Sequence, residues 1–233
     1  MRHLVAAFRV IACDLPGHGR REAESFELAA AADDLALAID KLAGGRALVV
    51  GLSLGGYVAM DLAARHPERV AGLVLAGASQ EPVGPWTWPY RALATVLERT
   101  PPGVLDGLSN RYFRARYRPA VAGPILADRY SPRGGALALR TILGQRFRPR
   151  LAAYPGPVLI LNGRLDPVFR AGERAFLAVC AEGRLVVLPR ATHLSNLDRP
   201  AAFAAAVRTF ARDAFAMPRG PAERGSGGGP VID

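Results

Sequence analysis

Apolar positions along this chain alternate between two periods. Phe8 to Cys13 (FRVIAC) is a short, β-branched apolar run that stops at the turn cluster Asp14-Leu15-Pro16-Gly17-His18-Gly19, the pattern of a buried strand entering a loop. From Ser25 the period becomes helical. Leu28, Leu35, Ile39 and Leu42 share a face, Ser25 is placed to cap, and Gly44-Gly45 ends the run. Arg46 to Val50 predicts the next strand, then a Gly-rich turn and a helix of small residues (Ala59, Leu62, Ala63) that stops at His66-Pro67. Val70 to Ala76 predicts another strand. Strands alternating with helices predict right-handed βαβ units: an α/β fold of three layers, with a doubly wound, mostly parallel sheet between helices.

Between Glu81 and Ala153 the alternation lapses. This stretch holds Trp86, Trp88, Tyr90, Tyr112, Phe113 and Tyr117 among prolines and arginines, with helical patterns only at Ala92 to Leu97 and Ala136 to Leu143. It predicts a helical cap inserted over the sheet edge. Strand patterns resume at Pro157 to Leu161 (PVLIL) and Arg184 to Leu188 (RLVVL), and Ala201 to Phe215 closes as an amphipathic helix on Phe203, Val207 and Phe210. Residues 1–80 and 154–216 are expected to form the core, 81–153 the cap, and 217–233, rich in Gly, Pro and Ser, a disordered tail.

Half of the 233 residues are apolar, enough for one globular domain and too many for a disordered or fibrous chain. The net charge of +10 is the footprint of a nucleic-acid or membrane-surface protein only where the charge is bunched. Here Lys41 is the sole lysine among 30 basic residues, and the arginines read as scattered among alanines, so a solvated Arg-rich surface is expected and a nucleic-acid partner is not. Two cysteines, Cys13 and Cys180, cannot build a disulfide framework, which points to a reducing, cytoplasmic setting. No apolar run approaches the roughly 20 residues of a membrane span. The first apolar stretch is broken by Arg9, unlike a signal peptide. A homo-oligomer stays open.

The chemistry concentrates at Gly51-Leu52-Ser53-Leu54-Gly55-Gly56, between a strand and a helix. A serine there is forced into a strained conformation, and flanking glycines let helix and strand approach closely. The Leu54 amide, at the helix start, is placed to support an oxyanion. A serine needs a base, and only four histidines exist. His3 lies at a terminus, His18 in the first loop, and His66 ends a helix; His193 follows the last strand. For the acid that orients the base, Asp166 directly follows PVLIL, with Glu81 as rival and Asp198 set aside as too near the closing helix. Trp86, Trp88 and Tyr90 are candidates to wall an acyl pocket, and Arg111, Arg114 or Arg116 to meet a substrate carboxylate.

Together these motifs resemble the α/β-hydrolase superfamily, from Phe8 to about Phe215. Asp14 to Gly19 looks like the loop after the family's fourth strand, Gly51 to Gly56 like its nucleophile turn, and Asp166-Pro167 like its acid turn. His193-Leu194-Ser195-Asn196-Leu197-Asp198-Arg199-Pro200 is similar to the histidine loop of capped, enol-lactonase-like members. The resemblance implies hydrolysis of a small-molecule ester, lactone or related carbonyl compound without a cofactor or metal, through Ser53, His193 and Asp166. C–C bond hydrolysis of a ring-cleavage product and a catalytically impaired ligand-binding protein are the alternatives.

The family ordinarily begins with three further strands, and a His-Gly loop after the third supplies a second oxyanion amide. Neither is recognisable before Phe8, so the fold is expected to be N-terminally truncated. The absent third strand would leave a gap of roughly 10 Å between FRVIAC and ALVV. We expect in-frame DNA upstream of Met1 to encode a strand and a His-Gly loop; a stop codon just before Met1 would overturn this.

Overall fold

The computed structural model describes residues 3–127 and 132–216. Its sheet has four parallel strands in the order β1 (Ala47–Leu52), β2 (Val70–Ala76), β3 (Pro157–Gly163) and β4 (Glu182–Leu188). β2 and β3 are buried at every residue, which explains why both read as unbroken apolar runs rather than alternating ones. Their side chains still divide by the period of two. Leu73, Leu75, Val158 and Ile160 join Tyr57, Phe147 and Phe176 on one face. Val74, Ala76, Leu159 and Leu161 meet Phe203, Val207 and Phe210 on the other. Each Leu, Ile, Val or Phe side chain among them contributes about 1.5–3 kcal/mol on burial.

The first face is covered by α1 (Leu28–Ala43), α2 (Leu54–Arg65) and α8 (Pro167–Leu177), and the second by α10 (Pro200–Ala216). A short α9 (Ser195–Asp198) precedes α10. The helix expected from Ser25 begins instead at Leu28, with Glu27 at its N-cap and no side-chain cap. Phe26, 1% exposed, is drawn into the core, and the chain stays extended until it has passed that anchor. Gly44 ends α1 in the left-handed conformation at φ 68°, as expected.

Phe8 to Cys13 does not form the expected buried strand. The segment carries no sheet pairing, and Ile11, Ala12 and Cys13 are exposed. β1 pairs only with β2, so no neighbouring strand offers this run a hydrogen-bond ladder. A cavity of about 380 Å³ separates it from α1, lined in part by Ile11, Leu15, Leu35 and Leu42.

Between β2 and β3 the chain forms α3 (Thr87–Arg99), α4 (Pro102–Arg116), α5 (Pro119–Ala127), α6 (Pro132–Ile142) and α7 (Arg148–Ala153). Two buried carboxylates fasten the returning end of this insertion. Asp61 of α2 pairs with Arg150 at 2.8 Å. Glu81 accepts from the Phe147 and Arg148 amides (3.1 and 3.0 Å) and from the Arg148 guanidinium (2.9 Å). Glu81 is therefore a structural anchor, not the rival acid for a histidine. The tail expected over 217–233 lies outside the described residues.

Burial alone would raise the Glu81 pKa, but the Arg148 and Phe147 hydrogen bonds outweigh it and hold the carboxyl below its ordinary range. Its contribution to stability is then present above the ordinary carboxyl pKa and is lost as pH falls through the lowered one. Glu81→Gln is expected to cost about 1–3 kcal/mol at pH 7. In thermal melts across an acid series, the gap between variant and parent should narrow as pH falls.

Candidate active site

Because the four strands run parallel, their C-terminal ends share one edge, and the segments that follow them meet there. β1 leads straight into Ser53 and β2 into Gly77; Asp166 and His193 lie in the turns after β3 and β4. Ser53 sits at φ 52° and ψ −119°, an uncommon conformation for a residue with a side chain. The cause is the abrupt reversal from β1 into α2. A Cβ on Gly51 would lie 2.3 Å from the Gly55 carbonyl oxygen, and one on Gly56 would lie 2.3 Å from Ala78 Cβ. Gly55, the second flanking glycine of the motif, has open space at its Cβ position, so close packing requires Gly51 and Gly56 instead. The Ser53 amide donates to the Ala76 carbonyl at 2.8 Å, pinning the turn against the end of β2.

His193 Nδ1 lies 2.9 Å from Asp166 Oδ2. Asp166 is 5% exposed, and its other oxygen accepts the Phe169 amide at 3.4 Å, capping α8. The Phe169 ring stacks on the imidazole with centroids 4.9 Å apart and planes 18° from parallel. Gly77 at φ 54° also abuts the ring, where a Cβ would lie 2.8 Å from the imidazole Cε1 and Nδ1. Ser53 and His193 thus flank the same two residues, Ala76 and Gly77. Among the described residues no hydrogen bond joins Ser53 Oγ to the imidazole. Leu54 opens α2, where first-turn amides lack helical partners.

Behind the pair, Asn162 is fully buried and every polar atom of its amide is used. Its oxygen accepts the Gly77 amide at 3.0 Å, while its nitrogen donates to Ser79 Oγ (2.8 Å) and Glu173 Oε1 (3.0 Å). This one side chain ties the ends of β2 and β3 to α8. Beside it, Asp198 accepts the Thr192 amide and hydroxyl on Oδ2, and the Tyr117 hydroxyl and Arg116 guanidinium on Oδ1. Burial would raise the Asp198 pKa; the hydrogen bonds from Thr192, Tyr117 and Arg116 prevail and hold it below the usual range. Asn162 and Phe169 were not among the sequence candidates, and Asp198 was weighed there only as an orienting acid and set aside. An aromatic in the first turn after the acid was a readable signal for Phe169, whereas the partners of the other two lie far away along the chain.

Of the three aromatics expected to wall a pocket, only Tyr90 turns inward. It lies edge-on to Phe169 at 6.4 Å and its hydroxyl meets that of Tyr57 at 2.6 Å. Burial pushes its pKa up to about 12, so the hydroxyl stays protonated near neutrality. Trp88 precedes Tyr90 by two helical positions, some 200° around the helix, and is 73% exposed. Trp86, in the turn before α3, is half-exposed. Arg116 is held by Asp198, while Arg111 and Arg114 are exposed. His18 meets the Pro16 carbonyl and His66 pairs with Asp33, so neither faces the serine turn's partners.

Among the described residues no three His, Cys, Asp or Glu side chains converge as a metal site, and no helix is long and apolar enough to cross a membrane. The charge is less scattered than the sequence reading held. Residues 81–153 carry twelve arginines against four acidic residues, +8 of the chain's +10.

A serine at positive φ on a strand-to-helix turn, with a carboxylate–imidazole pair at the same sheet edge, is the arrangement of an α/β-hydrolase-type fold. The model of the alpha/beta hydrolase family matches residues 1–206, and the chain belongs to that family. It is 32% identical to the pimeloyl-[acyl-carrier protein] methyl ester esterase of Neisseria meningitidis serogroup A, across 94% of this chain and 73% of the relative. Among solved structures it resembles a thermophilic esterase from Thermogutta terrifontis, with 28% identity, TM-score 0.73, and 91% and 83% of the two chains covered. It also resembles the enol-lactonase from Burkholderia xenovorans, with 26% identity, TM-score 0.74, and 91% and 84% covered. The chain is a hydrolase of this esterase- and lactonase-like kind.

Gly77→Ala would add a methyl group against the imidazole at a backbone angle that alanine resists. It is expected to lower the melting temperature and to abolish the low-field imidazole N–H resonance of the Asp166–His193 pair in proton NMR.

Proposed function

We propose that the chain hydrolyses carboxylic esters or lactones through Ser53, His193 and Asp166. The observation that carries this reading is the 2.9 Å contact between His193 Nδ1 and Asp166 at the edge where Ser53 is held in its strained turn. With Asp166 ionised, Nδ1–H donates to the carboxylate and leaves the Nε2 lone pair free to accept the Ser53 proton. Ser53 Oγ then attacks the substrate carbonyl, and the Leu54 amide at the start of α2 supports the oxyanion. The imidazolium returns its proton to the leaving alcohol as the intermediate collapses to an acyl-enzyme. A water molecule, activated by the same imidazole, releases the acid and restores the serine. Apo enzymes often tighten the serine–histidine contact only on binding substrate, so an unengaged Ser53 Oγ is compatible with this sequence of steps.

The helices α3 to α7 act as a cap over this edge, because Tyr90 of α3 reaches Phe169 and the end of α4 reaches Asp198. Their net +8 favours an ester that carries negative charge, in keeping with a relative named for a pimeloyl-[acyl-carrier protein] methyl ester. The two unpaired cysteines fit a reducing, cytoplasmic setting.

Ser53→Ala is expected to lower p-nitrophenyl acetate hydrolysis by at least about 1000-fold and to abolish labelling by a fluorophosphonate probe. Equal rates in variant and parent would refute the assignment.

A further inference from the structure

His193 is oriented from two directions, and only one of them is Asp166. The residue before it, Thr192, donates both its amide (2.7 Å) and its hydroxyl (2.6 Å) to Asp198 Oδ2. The other oxygen of that carboxylate accepts the Tyr117 hydroxyl at 2.9 Å and Arg116 Nη2 at 2.8 Å, donors at the C-terminal end of α4. The side chain is 3% exposed, so no solvent competes for its oxygens, and one rigid planar group joins the histidine loop to the inserted helices. A carboxylate that needed only to stabilise its own loop would use one oxygen; here the second is given wholly to a segment some eighty residues earlier in the chain.

We propose that Asp198 is a positioning residue through which the seating of α4 sets the orientation of His193. This rests on the catalytic reading above. Movement of α4 away from the sheet edge pulls on Oδ1, and the planar carboxylate passes that displacement to Thr192 and hence to the imidazole. The site is aligned for proton transfer only while the insertion is seated.

The test uses four variants of the full chain. Thr192→Val removes the hydroxyl bond of the loop arm and leaves its amide bond, Tyr117→Phe removes the tyrosine bond of the insertion arm and leaves Arg116, the double variant removes both hydroxyl bonds, and Thr192→Ser keeps the hydroxyl. Ester turnover is measured per site titrated with the fluorophosphonate, and the low-field imidazole N–H resonance of His193 is followed by proton NMR. A misplacement of the order of 1 Å is worth up to about 100-fold in rate. Thr192→Val and Tyr117→Phe are therefore each expected to lower kcat by roughly 10- to 100-fold with KM changed less than about twofold, and to broaden the His193 signal. Because both act through one carboxylate, the double variant should fall little further than either single variant. Thr192→Ser should retain the parental kcat. Lower melting temperatures with unchanged kcat and an unchanged resonance would overturn the proposal, as would effects that multiply independently. If the parent neither hydrolyses the ester nor takes the label, the catalytic reading fails. The coupling would still stand or fall on whether Tyr117→Phe disturbs the His193 resonance.

Discussion

One residue beyond the last rung of the β1–β2 ladder, the Ser53 amide still donates to Ala76, although the chain has already turned away into α2. That bond and the tight crossing over Gly51 leave the serine no relaxed backbone conformation. Strain of this kind persists only where its surroundings over-determine it. Here the surroundings are the end of the fully buried β2 and the close-packed start of α2, and everything else at the site is placed relative to the end of β2. Gly77 makes room for the imidazole, Asn162 reaches across from β3 to hold the Gly77 amide, and the turn carrying Asp166 begins immediately after.

The polar groups behind the site form a satisfied network rather than isolated contacts. Ser79 donates to the Phe169 carbonyl, Asn162 donates to Ser79 and Glu173, and Arg170 closes on Glu173. Inside a protein, such a network specifies geometry because each unmet partner would cost its full desolvation. Asp166 is held between this network and the first turn of α8, and the Phe169 ring that rises from that turn keeps the imidazole from rotating away. The aromatic contacts continue through Tyr90 and Tyr57 to α2, so the site is buttressed by the core and by the inserted helices together.

Charge is distributed unequally between the two parts of the chain. The sheet and its helices are close to neutral, and several of their arginines meet acidic partners, as Arg65 and Arg69 meet Asp33 and Asp40. The insertion holds most of the excess. Three of its arginines, Arg116, Arg148 and Arg150, are engaged by the buried carboxylates of Asp198, Glu81 and Asp61, while others on α4 stay exposed. The same residue type thus fastens the insertion on one side and presents a positive surface on the other, a distinction that composition alone does not carry.

Local pattern was enough to read β1 to β4, the stop of α1 at Gly44, the serine turn and the place of His193 in the turn after the last strand. Each of these depends on residues adjacent in sequence: a hydrophobic period, a glycine where φ is positive, a turn after a strand. What the tertiary structure decided depends on partners far apart. Phe8 to Cys13 has strand-like residues but no neighbour to pair with, and so it is not a strand. Asp166 and Glu81 both follow strands, and only the packing of α7 against the core gives Glu81 its other task. Trp88 faces outward because Tyr90, two positions on, faces inward. Asp198, passed over for its nearness to the closing helix, is matched by Arg116 and Tyr117 across a distance in sequence that no local periodicity can encode, since a hydrogen bond requires proximity in space and leaves no spacing along the chain.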